Sequence, residues 1–222
     1  DSDGDDLTLS AYGAPFLIEE SFATFETIDS LSTSGFAKGI FTWQTLCDYV
    51  RKQPYLVNFK ADDNASPVSL VDIENLNIYV MGPATPVDTA IPTTNTITVK
   101  WEPNRYTNVT GYNIYRSNYS IPWSPGECTS GIPDSLDYQL IGSTDNRNDT
   151  VFLDNNNGTG LPQGYRYCYR IVAVFPDGAE SYASEEICAE LIKGIPTITN
   201  VSIDSTDQQN GIVYLAWSKP TE

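Results

Sequence analysis

The chain has 222 residues, with 29 acidic against 12 basic side chains, a formal charge of −17, and no histidine. Nucleic acid and anionic lipid are poor partners for such a charge, and divalent cations are better ones. Without imidazole the Ser-His and Cys-His nucleophile pairs and the usual zinc ligands are excluded, so any hydrolytic chemistry would rest on paired carboxylates.

The length suits about two domains. The sequence opens at Asp1 without a methionine and stops at "LAWSKPTE", inside an apolar strand, so both ends read as cuts from something longer. No apolar run reaches the roughly 18 residues of a membrane span. Four cysteines without a C-x-x-C argue against a zinc ribbon or a thioredoxin-type site and are compatible with an oxidising, extracellular setting.

At the start, "DSDGDD" places carboxylates at alternate positions, a spacing that can wrap a hard cation in oxygen ligands. It is not an EF-hand, because Asp6 stands where glycine is required and Tyr12 where a bidentate glutamate is required. "WQTLCDYVRK" (43–52) has some helical character, and Gln53-Pro54 closes it at once, so it reads as a loop with one helical turn, and Cys47 as a free, partly buried thiol.

Short alternating runs follow, punctuated by Pro, Gly, Asn and Asp: "TITVKW" (96–101), "GYNIYR" (111–116), "YQLIGST" (138–144) and "TVFLD" (150–154). Such spacing predicts an all-β sandwich. "LDNNNGTG" (153–160) supplies either a turn, where Asn and Gly tolerate left-handed backbone, or oxygen ligands for a cation.

In "YRYCYRIVAVFPDGAESYASEEICAEL" (165–191), two apolar runs flank the turn residues Pro176-Asp177-Gly178, which predicts a hairpin. If Tyr167, Tyr169, Ile171 and Ala173 face the core, then Cys168, Arg170 and Val172 face outward. A symmetric loop at 176–180 sets Cys168 opposite Cys188, a disulfide on the outer face of a sheet, whereas a four-residue loop misses by one. The rival pairing joins Cys128 to one of these two.

"NTITVKWEPN" around Trp101 matches "GIVYLAWSKP" around Trp217, and the tryptophans are 116 residues apart, one domain's length. Residues 194–222 therefore read as the opening strands of a further module. Those strands are expected to pair with the preceding module or to stay poorly ordered.

Trp101, "GYNIYR", Leu161-Pro162-x-Gly164-x-x-Tyr167 and "AVFPDGAES" together resemble a fibronectin type III domain, covering 83–193. The resemblance implies that Trp101 packs the core and that Tyr167 is the tyrosine corner. It also places a long insertion, "IPWSPGECTSGIPDSLD" (121–137), between strands C and C′. Residues 1–82, with "GIFTW", "YLVNFKADD" and "IENLNIYV", are similar to a cadherin-like or Ig-like module that lacks its first strand. The fold class is thus all-β, a tandem of β-sandwiches. In the cadherin-like reading Asp3 and Asp5 meet Asp62 and Asp63 at one end of the first sandwich, forming either a Ca2+ site or a solvated acidic turn.

The tandem as a whole resembles very large gliding-motility-associated, type IX secretion surface proteins of Bacteroidota. That resemblance implies an extracellular, outer-membrane-associated location and an O-glycosylation pattern of Asp-Ser/Thr-aliphatic, matched at Ser30, Thr89, Ser135 and Thr150. Tyr112, Tyr119 and Trp123, on or beside strand C and the insertion, are either an aromatic platform for sugars or a partner, or the ordinary aromatics of a half-buried strand.

Prolines in "GPATP" (82–86) and "KGIPT" (193–197) stiffen the joints between independently cored blocks. Such a rod fits a non-catalytic stalk or adhesin whose partners are its neighbouring modules and surface glycans or proteins. The alternative is a spacer or carbohydrate-binding accessory region of a secreted polysaccharide-degrading enzyme. Neither reading involves nucleic acid or insertion into a membrane.

Overall fold

The computed structural model describes residues 6–28, 36–194 and 196–218, and its regular structure is antiparallel β apart from short 3-10 turns. Strands β1 (Thr8–Gly13), β4 (Tyr55–Asp62) and β5 (Val71–Ile78) form one sheet in the order β1-β4-β5, and β2 (Thr24–Thr27) pairs with β3 (Gly39–Thr42) in a second layer. Side chains of β4 alternate, so Tyr55 and Val57 turn inward and are buried while Leu56 is exposed. Phe59 lies on that inner face, and its ring meets Phe25 and Phe41 of the second layer at centroid distances of 5.6 and 5.9 Å. Trp43 stacks on Tyr49 of a 3-10 turn, Cys47–Tyr49, and meets Tyr55 edge-on at 4.8 Å. The single helical turn expected at 43–52 is this one.

The second sandwich faces the sheet β10-β7-β6 against the sheet β12-β11-β8-β9. Its strands are β6 (Val87–Pro92), β7 (Ile97–Trp101), β8 (Gly111–Ser117), β9 (Gln139–Thr144), β10 (Val151–Asp154), β11 (Tyr165–Val174) and β12 (Ile187–Leu191). Alternation in β7 buries Ile97, Val99 and Trp101, and the Trp101 ring meets Tyr112 edge-on at 5.4 Å. The Tyr167 hydroxyl donates to the Pro162 carbonyl at 2.9 Å, the tyrosine-corner contact expected from the Leu161 to Tyr167 spacing. Between β10 and β11, Asn156, Asn157, Gly158 and Gly160 all adopt positive φ, which is the turn use of "LDNNNGTG".

The hairpin of β11 and β12 pairs Cys168 with Cys188, and the two are joined by a disulfide. The route to that register differs from a symmetric loop. Val174 bridges Glu180 rather than Tyr182, so the turn closes early and the returning segment carries two more residues than the strand it faces. Hydroxyls of Ser181 and Ser184 accept the Ala173 and Ile171 N–H groups at 2.9 and 2.8 Å, standing in for ladder carbonyls across this stretch. The facing prediction is corrected as well: Cys168 and Val172 are fully buried and Arg170 is 4% exposed, because the insertion lies over what would be an outer face.

Among the described residues, strands β13 (Thr197–Ser205) and β14 (Ile212–Ser218) pair only with each other, in an exposed hairpin, so of the two expectations, pairing with the preceding module is not seen. The joint near Gly82 brings a second correction. One buried apolar cluster runs from Tyr49, Val50, Tyr55 and Val80 of the first sandwich through Phe175 and Ala179 into the core of the second. The blocks are tandem sandwiches, but they are not independently cored. Hydrogen bonds between the two sandwiches seal the contact: Lys52 N–H to Asp177 Oδ2 at 2.7 Å, Asn108 Nδ2 to the Cys47 carbonyl at 2.9 Å, and Tyr182 N–H to the Gly82 carbonyl at 2.9 Å. No helix among the described residues is long and apolar enough to cross a membrane.

Candidate functional site

The insertion leaves β8 at Ser117 and returns at Gln139, and a buried polar network holds it against the sheet. Arg170 is the hub. Its Nη1 donates to the Ser184 carbonyl and its Nη2 to the Trp123 carbonyl, both at 2.6 Å, and its Nε donates to the Tyr138 hydroxyl at 3.0 Å. The Tyr138 hydroxyl in turn donates to Glu186, which also accepts from Ser120 Oγ and the Ile121 N–H. Burial draws the Glu186 carboxyl upward, but these donors and the Arg170 charge outweigh it, and the group sits below its ordinary value. Burial, with Glu186 beside it, pushes Tyr138 up to about 12. A fully bonded network of this kind fixes one conformation.

Past Trp123 the insertion runs toward the joint. The Tyr182 hydroxyl donates to the Glu127 carbonyl at 2.6 Å, and the Gly131 N–H donates to the Ser181 carbonyl at 2.8 Å. Its tip, the turn at Gly178–Glu180 and the segment Asn77–Met81 enclose a cleft of about 730 Å³ between the two sandwiches. Ile78, Val80, Met81 and Ala179 contribute apolar surface, and Arg51, Asn77, Glu127 and Glu180 contribute polar groups. Glu180 is held by Asn113 Nδ2 at 2.9 Å and by the Tyr115 hydroxyl, whose pKa is pushed up to about 12, first by burial and then by that carboxylate. A preformed, mostly apolar cleft of this size at a module boundary is the usual setting of a binding site.

A buried ion pair lies at the other end of the second sandwich. Arg116 Nη1 lies 3.0 Å from Asp154 Oδ2, which also accepts from the Tyr169 hydroxyl at 2.8 Å. Burial, then the Asp154 charge, raises the Tyr169 pKa. Asp154 is buried, while Arg116 is partly exposed and lines two surface pockets.

The sequence-predicted residues fall as follows. Asp62 accepts from Lys60 Nζ at 2.9 Å, from the Asn64 N–H at 3.1 Å and from Ser69 Oγ, and these bonds lower its pKa to about 2. Asp63 accepts from the Ala65 and Leu70 N–H groups at 3.1 and 2.8 Å. Asn64 Nδ2 donates to the Asp6 carbonyl at 2.9 Å, which ties this turn to the start of β1, while Asp3 and Asp5 lie outside the described residues. A cation here would have to displace the Lys60 ammonium from Asp62. The only cluster of three potential ligand atoms among the described residues is Cys168, Glu186 and Cys188, whose two sulfurs are committed to the disulfide.

Cys47 is free and half-buried and Cys128 is free and exposed, so the rival pairing does not form. Ser135 is exposed, Thr89 and Thr150 are half-buried in or beside strands, and Ser30 lies outside the described residues. Tyr112 is corrected: it is 0% exposed, and its hydroxyl donates to the Arg147 carbonyl and accepts the Asn104 N–H, so it cannot stack a ligand. Trp123 is half-buried with Arg170 over its ring, leaving Tyr119 as the exposed member of the trio.

Sequence reasoning missed Arg170, Glu186 and the cleft. An arginine inside the apolar run "YCYRIV", in a chain with a long insertion to cover it, is the signal that could have found the first.

No protein-family model matches the chain, and no curated protein matches it. Among solved structures, a beta-1,2-glucanase from Parabacteroides distasonis is similar with a TM-score of 0.35 and 17% identity, over 73% of this chain and 22% of the glucanase chain. The FN1-FN3 domains of chicken CNTN1 are similar with a TM-score of 0.35 and 12% identity, over 98% of this chain and 68% of theirs.

Proposed function

We propose that the chain is a non-catalytic segment of a large secreted or cell-surface protein, a stiff stalk or adhesin in surface attachment or gliding of the type IX secretion kind. The observation that carries this reading is the buried cluster through Tyr49, Val80 and Phe175, which sets the two sandwiches in one orientation. A rod needs a fixed orientation between modules, and loosely linked domains move by default. The disulfide supports an oxidising, extracellular setting. The shifted carboxylates Asp62, Asp63, Asp177, Glu186 and Asp207 each already accept hydrogen bonds from the chain itself, as structural rather than reacting groups do. Its partners in this reading are the neighbouring modules and surface glycans or proteins, and Ser30, Thr89, Ser135 and Thr150 are its candidate glycan carriers.

Two measurements test the proposal. Small-angle scattering of the isolated segment should fit one rigid arrangement of residues 6–194, and a broad ensemble of module orientations would count against a rod. Protease shaving of intact cells of the source bacterium should release peptides of this segment, and their retention inside the cell would refute a surface role. The alternative, accessory modules of a polysaccharide-degrading enzyme, finds support in the exposed Tyr119 beside Trp123, and saturable oligosaccharide binding lost in Tyr119→Ala would favour it.

A further inference from the structure

Strand β5 is an edge. It pairs with β4 on one side and, among the described residues, has no strand on the other, and along its eight residues Val71 to Asn77 are exposed and only Ile78 is half-buried. A long edge with free backbone donors and acceptors is a template for another strand, and folded proteins usually blunt such edges with proline, a bulge, a covering loop or inward-pointing charges; here Asp72 and Glu74 supply the last of these, which disfavours an apolar or acidic strand and leaves a basic one. β5 contains no proline and pairs with β4 without a bulge. At the opposite edge of the sheet, β1 is in contact with β2.

The two faces of β5 follow from its register. Phe59 pairs with Glu74, Val57 with Leu76 and Tyr55 with Ile78, so Asp72, Glu74, Leu76 and Ile78 share the inner face, and Val71, Ile73, Asn75 and Asn77 share the outer one. Asp72 and Glu74 form no ion pair and no side-chain hydrogen bond among the described residues. A cavity adjoins the strand near each end. One of about 320 Å³, floored by Phe25, Phe41 and Phe59, touches Asp72 and Glu74, and the joint cleft of about 730 Å³ touches Asn77 and Ile78.

We propose that the free edge of β5 and the joint cleft form one docking surface for an extended, basic-apolar polypeptide segment of a partner, added as a further strand. Backbone hydrogen bonds to β5 supply affinity and side chains at alternate positions supply specificity. The pattern of the partner follows from cross-strand pairing. Lysine or arginine stands opposite Asp72 and Glu74, apolar residues stand opposite Val71, Ile73, Leu76 and Ile78, and an anchoring apolar side chain beyond Ile78 enters the cleft. Charge argues against a second copy of this chain as the occupant, since each copy carries −17 and the same two carboxylates on the edge. The surface is independent of whether the segment serves as a stalk or as an enzyme accessory.

The probe is a C-terminally labelled peptide, Phe-Ile-Thr-Leu-Thr-Lys-Val-Lys-Ile, which is antiparallel-complementary to β5, and its control carries Glu for both Lys. Fluorescence anisotropy at physiological salt reads binding, and hydrogen exchange reads its place. The expected result is saturable binding of the Lys peptide with new amide protection confined to residues 71–81, and none with the Glu peptide. Binding should weaken about tenfold, the worth of one or two cross-strand pairs, in Asp72→Lys/Glu74→Lys and again in Ser130→Trp, which fills the cleft from its exposed rim. Absence of binding, protection elsewhere, or equal affinity in the charge-reversed variant overturns the proposal. So does a dimer whose β5 amides are protected without peptide, which would assign the edge to a second copy. The exchange map of the unaltered protein decides even if a variant misfolds.

Discussion

The guanidinium carbon of Arg170 lies 5.1 Å from the centroid of the Trp123 ring, and the same side chain donates to the Trp123 carbonyl. One residue of the sheet thus grips the insertion by ring and backbone together. Replacing Arg170 with methionine keeps the length of the side chain but leaves the Ser184 and Trp123 carbonyls unbonded in a buried site. The expected loss is about 3 kcal/mol of stability. Faster hydrogen exchange throughout 118–138, with little change in β6 and β7, checks that the loss comes from release of the insertion.

The disulfide closes a loop with a sequence separation of 20 residues. On chain-entropy grounds, removing it in Cys168→Ser/Cys188→Ser costs about 3 kcal/mol. Thermal melting with and without reductant measures the same quantity on the unaltered chain. Equal midpoints would mean that the register of β11 and β12 stands without it.

A Cβ on Gly82 would lie 2.4 Å from Cζ of Phe175, a ring that is itself 1% exposed and has no room to retreat. Gly82→Ala therefore pries at the joint and costs about 1–3 kcal/mol by overpacking. The expected signature is a melt that separates toward two transitions together with a wider scattering envelope. A wild-type melt in this variant would place the coupling elsewhere.

Tyr115 and Tyr138 each have a pKa of about 12, above the ordinary phenol value near 10. The folded state therefore holds their protons more tightly than the unfolded chain does. Their contribution to stability is complete below pH 10 and is lost as pH rises through about 12. Absorbance of the phenolate at alkaline pH should show late-titrating tyrosines, and Tyr138→Phe should remove one of them. Loosening of the insertion in the same pH range is the accompanying change.

Lys60 already neutralises Asp62 at 2.9 Å. Adding calcium, then chelator, should leave the melting midpoint where it was, since only a ligand that prefers the folded state moves it. A rise with calcium would show that Asp3 and Asp5 complete a cation site with Asp62 and Asp63.

Short-range features were legible in the sequence. Alternation around Trp101 and the Leu161 to Tyr167 spacing depend on local periodicity, and each is found. The pairing of Cys168 with Cys188 is found too, but through an early turn offset by two extra residues, which local periodicity does not show. Which of two alternating faces becomes the inside is a longer-range matter. Tyr112 reads as surface only while strand β8 is considered without Trp101 opposite it. Arg170 reads as solvent-facing until the insertion returns across the sheet, and the separate cores expected for the two blocks fail because Phe175, at a hairpin tip, reaches Gly82. Arg170 and Trp123 are 47 positions apart, Phe175 and Gly82 are farther still, and contacts so distant leave little trace in a local pattern.

The disulfide also decides how the segment yields to tension. Past Leu191 the chain passes to the next hairpin, so a load on that side peels β12 from its end. Only Leu191, Glu190 and Ala189 can come away before the tear reaches Cys188, where the covalent link hands the load to Cys168 in the middle of the sheet. Under oxidising conditions the link keeps residues 169–187 out of the load path, and in reductant the load is free to reach the part of the strand that carries Arg170.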